Sequence, residues 1–214
     1  MPRFRAVILD ADSTLSGLEG IDWLAGQRGP EVAQASEAAT RRAMDGTVPL
    51  EAVYAQRLAM IRPTRAEMAT LADVYVRAMA EGAVECVRAL HAAQVRVVIV
   101  SGGLREALLP MAAVLGVSGA DVHAVSVRYD ASGAIEALDG VQLLAMSGGK
   151  PTVVRALALP APVLAVGDGM TDADIRPVVA AFAAFTGFVK RDAVVAAADH
   201  VLDSFDALAR LVLA

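Results

Sequence analysis

Cysteine, tryptophan and histidine are nearly absent from these 214 residues, which contain one Cys, one Trp and three His. A lone Cys86 leaves nothing to pair with inside the chain, so a disulfide-stapled extracellular scaffold is excluded. It lies in the helical pattern Val84-Glu85-Cys86-Val87 and reads as a small buried hydrophobe, not a nucleophile. His91, His123 and His200 show no metal-ligand spacing. Positive charge is also scarce. Nineteen Lys and Arg against 24 Asp and Glu give a net charge of −5 and a pI near 5.2. A nucleic-acid partner normally demands a basic stripe, so none is expected. No apolar run approaches the roughly 20 residues of a spanning helix, so no membrane partner is expected either. Met1-Pro2-Arg3-Phe4-Arg5 runs straight into the first apolar stretch, which predicts no signal peptide and a cytoplasmic protein. Aromatics are only 4%, yet hydrophobic residues reach 56% and mean hydropathy is +0.52. That balance, weighted to Ala and Val, predicts a densely buried, helix-rich globular protein.

What the chain does have starts at Phe4-Arg5-Ala6-Val7-Ile8-Leu9-Asp10-Ala11-Asp12-Ser13-Thr14-Leu15. A short apolar run that ends in two carboxylates and two hydroxyls reads as a buried strand with its polar residues at the C-terminal end. Open α/β sheets place their active sites there. Two aspartates two residues apart invite a divalent cation, or a pKa split between them. An ordinary strand-to-helix turn, with Asp and Ser as caps, is the alternative on this stretch alone.

From Gly17 to about Met79 no strand alternation appears. Leu18, Ile21, Trp23 and Leu24 form one apolar face, and Gly29-Pro30 punctuates before an Ala-rich helix over 31–44. Asp45-Gly46-Thr47-Val48-Pro49 breaks again, and 50–61 follows as a helix. Thr64-Arg65-Ala66-Glu67 has the form of a capping box that opens another helix. Residues 16–79 are therefore expected to form a helical cap inserted after the first strand, with 1–15 and 80–214 forming the core. From Gly82 onward strand and helix patterns alternate. Strands are expected near 95–100, 162–166, 180–185 and 200–202, with a hairpin whose arms, 121–129 and 134–138, flank Asp130-Ala131-Ser132-Gly133. The fold class is α/β, a doubly wound parallel sheet.

Three strand ends carry polar clusters: Asp10 and Asp12, then Ser101-Gly102-Gly103, then Asp168 with Asp172. Lys150 precedes a helix in the same half of the chain. Taken singly, Ser101 could be a helix cap, Lys150 a solvated charge and Asp168-Gly169 a tight turn. In a parallel sheet they converge on one edge, where one site explains them all. Hard carboxylate oxygens suit Mg²⁺. A hydroxyl, glycine amides and a lysine suit a phosphate. A carboxylate can attack phosphorus and a second one can move protons. Ser147-Gly148-Gly149-Lys150 lacks the earlier glycine of a P-loop.

At these residues the sequence resembles the haloacid dehalogenase superfamily, whose first motif is Asp-x-Asp-x-Thr. It is most similar to the superfamily's phosphoserine phosphatase branch. Glu19-Gly20-Ile21-Asp22, Thr40-Arg41-Arg42-Ala43-Met44, Val48-Pro49, Arg57-Leu58, Ser147-Gly148-Gly149-Lys150-Pro151 and Gly167-Asp168-Gly169-x-Thr171-Asp172 extend the match from residue 4 to about 202. The resemblance implies a Mg²⁺-dependent hydrolase of a small phosphomonoester, O-phosphoserine, acting as a monomer or homodimer. It implies Asp10 as nucleophile and metal ligand, and Asp12 as general acid/base and metal ligand through its carbonyl. Asp168 is the remaining ligand, with Asp172 supporting from behind. Ser101, Gly102 and Lys150 would bind phosphate, Glu19 the substrate ammonium and Arg57 its carboxylate. Met44, Gly103 and Thr171 would line the pocket. Asp45, Leu104 and Met170 replace the branch's commoner Gly, Phe and Ala, which bears on substrate choice. Phosphothreonine or phosphohomoserine, or a non-catalytic phosphometabolite binder on the same fold, are the competing readings.

Overall fold

The computed structural model of the chain describes residues 1–44 and 48–214, apart from the side chains of Arg41, Ala43 and Met44. Strand β1 (Ala6–Leu9) is followed by four helices in succession: α1 (Gly20–Gly26), α2 (Pro30–Met44), α3 (Leu50–Ile61) and α4 (Arg65–Arg77). Then come α5 (Ala83–Ala92), β2 (Arg96–Leu104), α6 (Arg105–Leu115) and β3 (Val122–Val125). A ribbon of β4 (Val127–Tyr129) and β5 (Ile135–Leu138) leads to α7 (Gly149–Ala156). The chain closes with β6 (Val163–Gly167), α8 (Met170–Ala173), β7 (Ala181–Phe185), α9 (Asp192–Ala197), β8 (His200–Leu202) and α10 (Phe205–Leu213).

Six strands form one parallel sheet in the order β3-β2-β1-β6-β7-β8. The expected doubly wound α/β fold is present. All four residues of β1 and all five of β6 and of β7 are buried, as continuous apolar runs must be when helices cover both faces. After β1 the chain builds outward through β2 to β3, then returns to lay β6, β7 and β8 on the other side. The reversal falls between β1 and β6, where ligand crevices open in such sheets. Register sets the level of the site. Leu9 pairs with Ile99 on one side and with Val166 on the other. Asp10, Ser101 and Asp168 therefore lie within one residue of a common line across the sheet.

The helical insertion has the local signals its sequence promised. Thr64 Oγ1 accepts from the Glu67 amide at 3.3 Å, and the Thr64 amide donates to Glu67 Oε2 at 2.8 Å, completing the capping box of α4. Arg28 forks onto the same Glu67 carboxylate and donates to the Ile61 carbonyl at 2.8 Å, tying the α1–α2 turn to the α3–α4 corner. One expectation needs correction. Residues 121–129 are not a single hairpin arm: Val122–Val125 joins the main sheet beside β2, and only Val127–Tyr129 pairs with β5. No Gly or Pro marks the break at Ser126, and the pairing with β2 is non-local, so the sequence carries no local signal of it. The ribbon's own turn braces the insertion, since Ile135 donates to the Pro63 carbonyl at 2.7 Å and Arg65 to the Gly133 carbonyl at 2.9 Å. Among the described residues no helix is long and apolar enough to cross a membrane. Cys86 is buried, and burial pushes its thiol up to about 12.

Candidate active site

At the C-terminal edge of β1, β2 and β6 four polar side chains are almost sealed from solvent: Asp10 (7% exposed), Lys150 (7%), Asp168 (5%) and Asp172 (2%). Lys150 enters from the first turn of α7 with its ammonium 2.6 Å from Asp172 Oδ1 and 3.0 Å from Asp10 Oδ1. Burial alone would depress this lysine, but the two carboxylates outweigh it and hold the ammonium above its ordinary value. Asp172 is pushed up to about 7 by burial and by the charge of Asp10, against the pull of Lys150. It folds back to accept from the Gly169 amide at 3.0 Å. A side chain at Gly167 would place its Cβ 2.2 Å from Asp172 Cγ, so only glycine lets the strand end lie beside this carboxylate.

Asp12 turns away from that cluster. Its Oδ1 accepts from the Tyr75 hydroxyl at 2.5 Å. Burial, followed by the charge of Glu19, holds its carboxyl well above the usual aspartate range. Directly after it Ser13 adopts a left-handed backbone (φ 52°) and donates to Glu19 Oε1 at 2.7 Å. Thr14 donates to Asp168 Oδ1 at 3.3 Å.

A cavity of about 310 Å³ opens above this floor, and Asp10, Asp12, Ser101, Gly102, Lys150, Asp168, Thr171 and Asp172 line it from the sheet side. Glu19 and Arg57 line it from the helical insertion. Ten of the expected residues thus meet in one place. Gly103 does not line it. Gly103 is buried behind Ser101, and its amide donates to Ser101 Oγ at 3.0 Å. The Met44 side chain and Asp45 fall outside what the structure describes. Leu104 is buried and Met170 is exposed, and neither lines the cavity.

The profile of the haloacid dehalogenase-like hydrolases matches residues 7–175. The chain belongs to this family. Within it, the hydrolase is 35% identical over 203 residues to the phosphoserine phosphatase of Bos taurus, covering 94% of this chain and 89% of that one. It is 33% identical to the chloroplastic phosphoserine phosphatase of Arabidopsis thaliana over 95% of this chain and 70% of the relative. Among solved structures, a phosphoserine phosphohydrolase-like protein from Francisella tularensis superposes with a TM-score of 0.86 at 25% identity, over 97% of this chain and 99% of that one.

The hydrolase's acidic cluster suits a cation. Asp10, Asp168 and Asp172 each bring a carboxylate oxygen within 4.8 Å of the others. Asp10 Oδ1 is buried and receives no hydrogen bond. Lys150 Nζ faces it as a charge at 3.0 Å. An orphaned buried oxygen among hard carboxylate donors fits Mg²⁺, which phosphatases of this family generally use.

Several contacts around the cavity had no mark in the sequence. Arg191, just before α9, forms an ion pair with Asp168 and reaches Glu19 at 3.8 Å. Arg57 is held by Asp22 and donates to Ser36 Oγ at 2.8 Å. Tyr54 donates to the Gly102 carbonyl at 2.9 Å. Only Tyr54 had a findable signal, because it shares a helical stripe with Arg57 three residues on.

Proposed function

We propose that this hydrolase converts O-phosphoserine to serine and phosphate through an aspartyl phosphate on Asp10. One observation carries the reading: a buried, hydrogen-bond-free Asp10 oxygen lies at the floor of a cavity that Ser101 and Lys150 also line. Asp10 attacks phosphorus and the bond from phosphorus to the serine oxygen breaks. Asp12 gives its proton to that oxygen, a role supported by its raised protonation range. Asp12, now a carboxylate, takes a proton from the water that attacks the phosphoryl group. The Asp10–phosphorus bond then breaks and phosphate leaves. Lys150 and Ser101 hold the phosphoryl oxygens throughout. Asp10, Asp168 and the Asp12 carbonyl would hold Mg²⁺, which supplies positive charge against the phosphate; Asp172 secures Lys150 beside them.

At the far end of the cavity Glu19 faces the substrate ammonium and Arg57 its carboxylate, with the Asp22 contact orienting the guanidinium. Thr171 shapes the remaining pocket. Residues 16–79 act as a cap on the core of 1–15 and 80–214, and the enzyme works in the cytoplasm. Phosphate release from O-phosphoserine, phosphothreonine, phosphohomoserine and phosphoethanolamine, with Mg²⁺ and with a chelator, tests the assignment. Magnesium-dependent preference for phosphoserine is the expected outcome. Equal turnover of all four would overturn the substrate, and activity untouched by chelation would overturn the metal.

A further inference from the structure

We propose that Tyr75, on the last helix of the insertion, is a positioning residue that sets the carboxyl of Asp12 for protonation of the leaving oxygen. The inference rests on the reading of Asp12 as the acid. Tyr75 is fully buried and its hydroxyl lies 2.5 Å from Asp12 Oδ1. The phenol donates to that oxygen. With Oδ1 taken, the other oxygen is the one left to exchange a proton with substrate. That oxygen lies on the Ser101-Gly103 side, 3.6 Å from where a Cβ on Gly103 would stand.

Two further features show that the contact is built. A Cβ on Gly20 would sit 2.1 Å from the Tyr75 hydroxyl, so glycine at that position is what admits the phenol. The end of α4 is stitched to the segment just past Asp12. Ser16 donates to the Tyr75 and Ala78 carbonyls at 3.4 and 3.2 Å, and the Gly17 amide donates to Ala78 at 3.0 Å. A side chain fixed by its own packing and hydrogen bonds orients its partner more tightly than one left free. In the reaction, Asp12 passes its proton to the serine oxygen as the bond to phosphorus breaks. Tyr75 keeps its own proton and holds the carboxyl plane in line with that transfer.

Leaving-group dependence separates this role from a structural one. An alkoxide must be protonated to leave, whereas p-nitrophenolate leaves without a proton. kcat/KM reports every step through departure of the leaving group. For Tyr75→Phe, kcat/KM on O-phosphoserine should fall about 10–100-fold, the usual cost of losing a second-layer orienting contact. On p-nitrophenyl phosphate it should fall less than about threefold, since departure of that group draws little on general acid catalysis. Gly20→Ala, which pushes the hydroxyl away, should reproduce the same ratio. Both esters are assayed on one preparation, so the ratio is independent of the folded fraction. Equal losses on the two esters, or no loss on phosphoserine, would overturn the proposal while leaving the assigned reaction intact. A wild-type protein that cleaves neither ester would overturn the reaction itself and this inference with it.

Discussion

Lys150 has two carboxylate neighbours, Asp10 and Asp172, in a space nearly closed to water. Breaking a buried pair by removing one partner leaves an uncompensated charge. Lys150→Ala should therefore cost about 3–5 kcal/mol of unfolding free energy, read by urea titration without Mg²⁺. It should also lower kcat at least about 100-fold, because a preorganised contact to the phosphoryl oxygens is lost. Arg57 makes a different contribution. In the proposed assignment it would hold the part of the substrate that does not react, so Arg57→Ala should raise KM for O-phosphoserine about tenfold or more, the worth of a charge-assisted hydrogen bond. KM for phosphoethanolamine, which has no carboxylate, should hardly move. At this scale the sequence was legible where chemistry is local: Asp10, Asp12, Ser101, Lys150 and Asp168 are recognisable from residue type and strand position. Arg191 and Tyr75 were not. Tyr75 stands 63 positions from the Asp12 it binds, and in sequence it is one more aromatic on a helical face.

At the scale of elements, Tyr54 ties the insertion to the core, while Glu67 holds the insertion's own helices together. Tyr54 on α3 donates to the Gly102 carbonyl at the end of β2 that carries Ser101. Tyr54→Phe would leave that carbonyl unpaired at a cost of about 1 kcal/mol. The loss should appear as about a fivefold rise in KM with kcat held. Glu67 closes the capping box of α4 and receives Arg28. The Arg28 hydrogen bond, with the Thr64 contacts added, lowers its carboxyl from 4.5 to about 2. A folded-state value below the unfolded one contributes stability that is complete above 4.5 and fades as pH falls toward 2. The urea midpoint of Glu67→Gln should therefore trail the parent's at neutral pH, and the gap should narrow as pH drops through that window. The same elements show why some boundaries could be read and others not. Helix α3 follows directly from Pro49 and the stripe of Val53, Tyr54, Leu58 and Ile61, all buried. Strand β3 escaped because its partner is β2, more than twenty residues earlier, and not the strand that follows it.

Across the whole molecule, the order β3-β2-β1-β6-β7-β8 places the reversal of the sheet between the strands that carry Asp10 and Asp168. Convergence of the strand ends was readable as soon as a parallel sheet was inferred. The strand order was not, since each pairing joins segments that no local pattern relates. The insertion completes the site from above, with Glu19 and Arg57 lining the cavity opposite the acidic floor. In the proposed reaction a phosphoryl group would enter at the floor and the charged amino-acid end would stay under the helices. Asp10 joins these halves as the atom that would carry the phosphoryl group between them. Rapid acid quench of the enzyme turning over O-phosphoserine with Mg²⁺, followed by peptide mass spectrometry, tests that directly. The account predicts phosphate on Asp10, with Asp10→Asn unlabelled and at least about 1,000-fold slower, as loss of a covalent nucleophile requires. Phosphate release by Asp10→Asn at the parent's rate, or a label on any other residue, would contradict it.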